Sequence, residues 1–271
     1  MRPASHGKDA RSRYLGQTAM HSAAYVIGFT ALTFLLAGLV KGVTGMGLPT
    51  VAIGLLATVM SPAQAATLLL IPALATNLWQ LAAGPRCLPL LRRLWPMMLG
   101  IAVGTGAGIW AGVGLLAQDQ QGRAAMALGA ALVAYAALGL AKLEFAVPPA
   151  WRSWLAAPIG AATGLVTAAT GIFVLPAVPY LGALGFEKEE LVQALGLSFT
   201  VSTLALAAGL YAAGAVRESL AVTSLLALAP SLLGMLAGQC LRRRVKPATF
   251  RLCFFLGLLG LGIDLLARPL L

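Results

Sequence analysis

Long apolar stretches separated by short polar ones fill this chain, and their lengths predict membrane-spanning helices. Residues 23–60 are apolar almost throughout, yet one helix of that length would measure about 57 Å at ~1.5 Å per residue, nearly twice the thickness of the bilayer core. The stretch therefore has to fold back. We predict two elements, 23–40 and 46–60, that form a hairpin or two crossing spans.

The other apolar stretches continue the same pattern. Gln64 and Gln193 stand near the start of two of them and are expected to act as caps or interface residues. We predict further helical elements at 63–83, 95–116, 124–141, 155–169, 171–184, 191–213 and 249–267.

Two similar stretches lie 126 positions apart (164 − 38): GLVKGVTGMGLP runs from Gly38 to Pro49, and GLVTAATGIFVLP runs from Gly164 to Pro176. Inside a helix, Gly costs about 1 kcal/mol and Pro about 3 kcal/mol relative to Ala. Irregular backbone survives in a membrane only where protein or a water-filled cavity surrounds it. Two matched helix breaks in two halves of a membrane protein indicate a transport site.

Other landmarks repeat in the same order, including LAAG at 81–84 and 206–209. We therefore predict an all-α integral membrane protein of two homologous repeats, each a broken-helix hairpin plus three transmembrane helices. An odd net number of crossings in each half would invert the repeats, which also gathers most basic residues on one face. The predicted divisions begin with a basic tail at 1–22, which we expect to be disordered. The first repeat follows at 23–141, a linker at 142–154 and the second repeat at 155–271.

Composition supports a membrane protein and argues against a soluble protein or a nucleic-acid-binding protein. The 271 residues are 59% hydrophobic and only 10% charged, whereas a soluble protein carries roughly 25% charged residues. The formal charge of +11 comes mostly from residues between apolar stretches, where they anchor the topology in the lipid bilayer rather than bind nucleic acid. Cys87, Cys240 and Cys253 lack metal-like spacing, and neither histidine lies in a span, so we expect no metal, no cofactor and no catalytic centre.

The breaks suggest how a small anion could be bound. Helix N-termini present unpaired N–H groups and about half a positive charge, and a buried lysine in a span is functional by default. The opposing interpretations are close packing for the glycines and threonines, snorkelling for Lys41, and interhelical hydrogen bonding for the other polar residues. The candidate substrate-binding residues are Lys41, Gly42, Thr44, Gly45, Gly47, Asn77, Gln80, Thr167, Thr170, Gly171, Ser198 and Ser202.

The stretch VKGVTGMGLP at 40–49, the residues from Pro72 to Gln80, those from Thr163 to Pro176 and the motif QALGLS at 193–198 resemble the TauE/SafE sulfite-exporter family. The resemblance implies a multi-pass transporter of the bacterial inner membrane that exports sulfite, sulfoacetate or another small organosulfur or organic anion. The alternative is a membrane enzyme or assembly factor that transfers a sulfur or lipid group. A homodimer stays open.

Overall fold

The computed structural model describes residues 6–84, 87–113, 115, 121–141, 146–216, 218–242 and 244–268. No strand occurs in this part of the chain, and seven of its helices are long and apolar enough to span a membrane. The helices are α1 (His6–Thr44), α2 (Leu48–Leu56), α3 (Pro62–Ala83), α4 (Cys87–Trp110), α5 (Gln121–Leu140), α6 (Pro149–Thr170), α7 (Ala177–Gly182), α8 (Lys188–Ala212), α9 (Glu218–Leu241) and α10 (Pro247–Ala267).

Both predicted breaks are present. The first separates α1 from α2, and the second separates α6 from α7. Residues 6–22 of the predicted disordered tail belong to α1, and residues 1–5 lie outside the described ranges. Part of the predicted linker also lies outside them, so the division of the chain into tail, repeats and linker stays a prediction.

Several element boundaries differ from those predicted. The element predicted to begin at residue 95 begins at Cys87, because Leu90 and Leu94 lie one turn apart and are both buried. Arg93 on this helix stacks its guanidinium 4.4 Å from the ring centroid of Phe186. The predicted element at 171–184 contracts to the six residues of α7.

Among the two predicted caps, Gln64 is confirmed. Ser61 and Gln64 form a reciprocal capping box at the start of α3, where Pro62 occupies the first turn. Gln193 has a different place, because it is fully buried and donates from Nε2 to the carbonyl oxygen of Leu81 on α3 at 2.9 Å. It therefore joins α8 to α3 rather than capping its own helix.

The first helix of each half packs against the fourth helix of the other half. On α1, Gly38 approaches Ser231 and Gly42 approaches Met235, so closely that a Cβ atom added at either glycine would lie within 2.2 Å of the facing carbonyl oxygen. Residue numbers rise together along both helices, so α1 and α9 run parallel. Small residues permit this approach in membranes, where it strengthens packing.

The second half makes the equivalent contact. Gly100 and Gly104 of α4, which belong to the small-residue face visible in the sequence, lie against Ala157 and Ala161 of α6. These two helices also run parallel. Each broken helix is thus held by the glycine face of the opposite half, and neither half could form this contact alone.

The remaining equivalent helices cross each other in the opposite sense. On α3 and α8, Gly84 contacts Gln193, while Asn77 contacts Thr203 further along α8. Along α5 and α10, Gly139 contacts Phe255, while Gly129 contacts Gly262. Since residue numbers rise on one helix as they fall on its partner, both pairs are antiparallel.

Candidate functional site

The first break is closed by a threonine and a glycine acting together. The Thr44 hydroxyl donates to the carbonyl oxygen of Val40 at 2.9 Å and accepts from the amide of Met46 at 3.2 Å. Gly45 takes the left-handed conformation with φ +80°, and its amide donates to the carbonyl oxygen of Lys41 at 2.7 Å. A left-handed glycine after the last helical residue is a common helix terminus.

The second break repeats this arrangement bond for bond. The Thr170 hydroxyl donates to the carbonyl oxygen of Val166 at 2.7 Å and accepts from the amide of Ile172 at 3.1 Å. Gly171 has φ +73°, and its amide donates to the carbonyl oxygen of Thr167 at 2.7 Å. The two threonine hydroxyls therefore end helices, and their predicted contact with an anion stays a prediction.

Beyond the shared cap, the two breaks differ. After the first one, α2 begins with Gly47 in the left-handed conformation at φ +98° and with Pro49 in its first turn. After the second one, Ile172, Phe173 and Val174 are fully buried, and α7 is a single short helix of six residues. The second break is thus filled by apolar side chains.

A polar cluster lies beside the first break, between α1, α3 and α8. Lys41, only 2% exposed, donates to the hydroxyl oxygen of Thr76 at 3.0 Å and to the side-chain oxygen of Asn77. Asn77 donates onward to the hydroxyl oxygen of Thr203 at 3.3 Å. Gln80, one turn along α3, donates to the carbonyl oxygen of Gly45 at 2.6 Å. Two predicted residues from different elements, Lys41 and Asn77, are thus in contact.

Three buried oxygens on α3 and α8 have no hydrogen-bond partner in the described structure. They are Oε1 of Gln80 and the hydroxyls of Ser198 and Ser202. All three belong to residues predicted to bind substrate, and Ser198 and Ser202 are fully buried. Buried polar groups are nearly always hydrogen-bonded, so these atoms are available to a water molecule or to a ligand.

The other predicted residues have packing contacts. Gly42 lies against α9, as described above. A Cβ atom at Gly47 would come within 2.9 Å of Val40, and one at Gly171 would come within 2.6 Å of Ile53. Thr167 is fully buried and donates to the carbonyl oxygen of its own helix at residue 163, at 2.7 Å. None of these contacts assigns a ligand to the residue concerned.

A cavity of about 800 Å³ lies on the other side of the first break. Thr44 and Met46 form part of its wall, together with Tyr135, whose hydroxyl lies 3.1 Å from the Met46 sulfur. Three cationic residues also line it, and no acidic residue is among its described lining residues. These cations are Lys188, Arg242 and Arg251.

Comparison with known protein families agrees with this architecture. The family model described as the sulfite exporter TauE/SafE matches residues 30–265, a range that contains both breaks, the polar cluster and the cavity. The chain belongs to the TauE/SafE sulfite exporter family. It is thus a multi-pass membrane protein of a family of anion transporters. Searches of the curated proteins and of the solved structures return no match.

The described part of this TauE/SafE protein has no group of three His, Cys, Asp or Glu side chains that could hold a metal ion. Its three cysteines are exposed and unpaired. Asp264 forms an exposed ion pair with Arg268 at 2.8 Å, near the end of α10.

Sequence reasoning missed five residues of the site. Thr76 could have been found as the neighbour of Asn77, and Thr203 as the neighbour of Ser202, which corresponds to Asn77 at the 125-residue offset of the LAAG motif (202 − 77). The three cations of the cavity were recognised only as topology signals.

Proposed function

We propose that this protein is a secondary transporter that moves a small anion across the inner membrane of a bacterium. The observation that carries this proposal is the cavity beside the first break, lined by Lys188, Arg242 and Arg251 without a described acidic residue. Grouped charges of one sign in a cleft with low-dielectric walls raise the local concentration of the opposite ion and its association rate. Guanidinium groups also match the geometry of oxyanions.

The proposed route runs from this basic cavity past Thr44 to the polar cluster around Lys41. Lys41 supplies a positive charge and, beyond its bonds to Thr76 and Asn77, one further N–H donor. An anion at this depth needs several hydrogen-bond partners, because charge in the membrane interior is costly unless it is paired. A dehydrated oxyanion at this cluster would supply the counter-charge that Lys41 lacks among its two neutral hydrogen-bond partners.

The substrate that we propose is sulfite, sulfoacetate or a related organosulfur or organic anion, and the proposed direction is export. Membership of the sulfite exporter family supports this choice. The cavity volume of about 800 Å³ falls in the range of sites for organic ligands, about 300–1,000 Å³. Aromatic residues in its wall, Tyr135, Phe254 and Phe255, suit an anion that carries an apolar part.

We further propose that the two halves are inverted repeats. Equivalent helices that run antiparallel, as α3 does with α8 and α5 with α10, support a pseudo-twofold axis in the membrane plane rather than along its normal. At the offset of 125 given by the LAAG motif (206 − 81), Asn77 corresponds to Ser202, and it contacts the next residue, Thr203, so this contact would lie beside the axis. The polar cluster would then lie near the middle of the bilayer.

Inversion also assigns the sides of the membrane. It brings the loops before α4 and before α10, and the turn before α8, to the same face, where basic residues predominate. The tendency of basic loops to stay in the cytoplasm makes this the cytoplasmic face. Because Arg242 and Val245 lie in the loop before α10 and line the cavity, the cavity would open to the cytoplasm, as an exporter requires. A homodimer stays a prediction without an assigned surface.

The test is anion flux from proteoliposomes that contain the purified protein, across a panel of sulfite, sulfoacetate, an alkyl sulfonate, sulfate and a carboxylate. In the double variant Arg242→Gln/Arg251→Gln we expect the KM to rise about tenfold, in line with the contribution of electrostatic steering. Because salt screens these charges, we expect the difference in KM between variant and wild type to shrink at high salt. The matched control is Arg92→Gln, which removes an exposed charge of the same face outside the cavity.

The outcomes separate clearly. An absence of flux for every anion in a well-folded protein would contradict the transport proposal. Equal KM values for the double variant and the control would show that the anion does not pass through the cavity, without contradicting transport itself.

A further inference from the structure

The charge of Lys41 has no counter-charge in the described structure. Its two hydrogen-bond partners, Thr76 and Asn77, are neutral, and the side chain is 2% exposed. An isolated ammonium inside a membrane is strongly unfavourable, and a buried charge without its partner destabilises a protein. The group therefore requires either an anion beside it or the loss of its proton.

The helices around Lys41 offer no substitute. Neither α2 nor α3 contains a titratable residue. The titratable residues of α8 lie at its ends, namely Lys188, Glu189, Glu190 and Tyr211. On α9 they are Glu218, whose side chain is outside the description, and the exposed Cys240. On the described side-chain portion of α1 the only other one is Tyr25, sixteen positions away (41 − 25).

We propose that Lys41 carries a proton together with each anion, so that transport of a monovalent anion is electroneutral; this inference rests on the proposed transport function. Lys41 binds the anion as an ammonium, and both anion and proton leave on the other side. The empty site then returns with a neutral amine. The proton comes from water on the side of loading and goes to water on the side of release.

The hydrogen bonds fit both forms of the side chain. An ammonium has three donors, and Thr76 and Asn77 use two of them, which leaves one N–H for an anion. Thr76 also has a backbone acceptor of its own, the carbonyl oxygen of Pro72 at 2.7 Å. In the neutral amine, the two remaining N–H groups satisfy the same two acceptors. The site can therefore alternate between the forms without breaking either contact.

Electroneutral transport has a measurable consequence. A membrane potential of 100 mV shifts the equilibrium distribution of a monovalent anion that moves alone by about 50-fold, which corresponds to about 2.3 kcal/mol. The same potential leaves the distribution of a proton–anion pair unchanged. The direction of net transport would then follow the anion gradient and the pH gradient.

The experiment uses proteoliposomes with a pH dye inside and methanesulfonate as the anion, because a sulfonate stays ionised and carries no proton itself. Potentials are imposed with valinomycin and potassium gradients. For the wild-type protein we expect methanesulfonate efflux to make the interior more alkaline, with one proton lost for each anion. We also expect the final distribution to be independent of the imposed potential.

Three variants of Lys41 test its role, and Arg92→Gln is the control with unchanged coupling. In Lys41→Gln and Lys41→Met we expect flux at least tenfold slower, with the residual flux free of protons and responsive to potential. Lys41→Arg keeps a charge that cannot be lost, so we expect it to retain exchange of external for internal methanesulfonate while net efflux falls at least tenfold. Melting curves in detergent identify variants that fail to fold. If the Lys41 variants do not fold, the number of protons that the wild-type protein moves with each anion still tests the proposal.

Two results would overturn the inference. One is wild-type efflux that follows the potential and moves no protons, which leaves the proposed transport function in place. The other is net, proton-coupled efflux by folded Lys41→Arg or Lys41→Met at the wild-type rate. An absence of flux for all anions in the wild-type protein would instead contradict the proposed function itself.

Discussion

Replacing Thr170 by valine tests whether the threonines at the breaks serve the fold or the anion. The substitution keeps the shape of the side chain and removes the hydroxyl that accepts from the Ile172 amide at 3.1 Å. Ile172 is fully buried, so water cannot replace the lost acceptor. An unsatisfied buried donor costs about 1–3 kcal/mol, and we expect the free energy of unfolding to fall by that amount.

Two matched substitutions calibrate this effect. Thr163→Val removes a buried hydroxyl on the same helix that donates only to the carbonyl oxygen of Ile159 at 2.8 Å, so no amide is orphaned and we expect a change within about 0.5 kcal/mol. Thr44→Val orphans the amide of Met46, but Met46 is half-buried and lines the cavity. Water can reach that amide, and we expect an intermediate loss of about 0.5–1.5 kcal/mol.

The assay is denaturant unfolding of the purified variants in mixed micelles, with flux measured on the same preparations. Capping predicts that stability falls in the order Thr163→Val, Thr44→Val, Thr170→Val, while flux per folded molecule stays within about twofold for Thr170→Val. The reasoning is refuted if Thr170→Val is no less stable than Thr163→Val. A loss of flux with unchanged stability would instead indicate that the Thr170 hydroxyl contacts the anion.

Two further predictions concern topology and packing. An impermeant maleimide should label Cys87 and Cys240, both exposed, only from the cytoplasmic side, because the proposed inversion brings both to the basic face; labelling of the two from opposite sides would contradict inversion. Gly104→Leu should lower the free energy of unfolding by more than about 3 kcal/mol, because a Cβ atom there would lie 2.2 Å from the carbonyl oxygen of Ala161. Gly106→Leu, where nothing lies within 4 Å of the added atom, should be tolerated, and equal losses in the two variants would show that α4 and α6 are not in close contact.

The sequence predicted those features that rest on local chemistry. Glycines that end in a proline, repeated in two matched stretches, marked both breaks, whereas a single proline such as Pro72 lies inside a helix. Gly100 and Gly104 stand four positions apart, a spacing of small residues that favours close helix packing. The partner of these glycines could not be predicted, since any helix with small residues satisfies the pattern. The observed pairing with α6 of the opposite half depends on the whole fold.

The role of a polar side chain was harder to predict, because one hydroxyl can serve several ends. Thr44 and Thr170 were predicted to bind substrate, and in the structure their hydroxyls cap helices with the same pair of bonds, so a contact with an anion stays a prediction. Lys41 and Asn77 were chosen for different reasons and prove to be bonded to each other. The basic cavity escaped prediction because its three cations come from α8, from the loop before α10 and from α10 itself.

The positions at which the two halves depart from each other explain why only one break adjoins the polar cluster and the basic cavity. At the separation of 126, Lys41 corresponds to Thr167 and Gly47 corresponds to Phe173. Phe173 is fully buried with its ring centroid 5.2 Å from that of Phe199, whereas Gly47 contributes no side chain and lets α2 start in the left-handed conformation. The duplicated caps build the same backbone twice, and these two substitutions give the first copy a charge and the second an aromatic filling. The proposed function therefore rests on the differences between the two copies, while the residues that they share cap the helices.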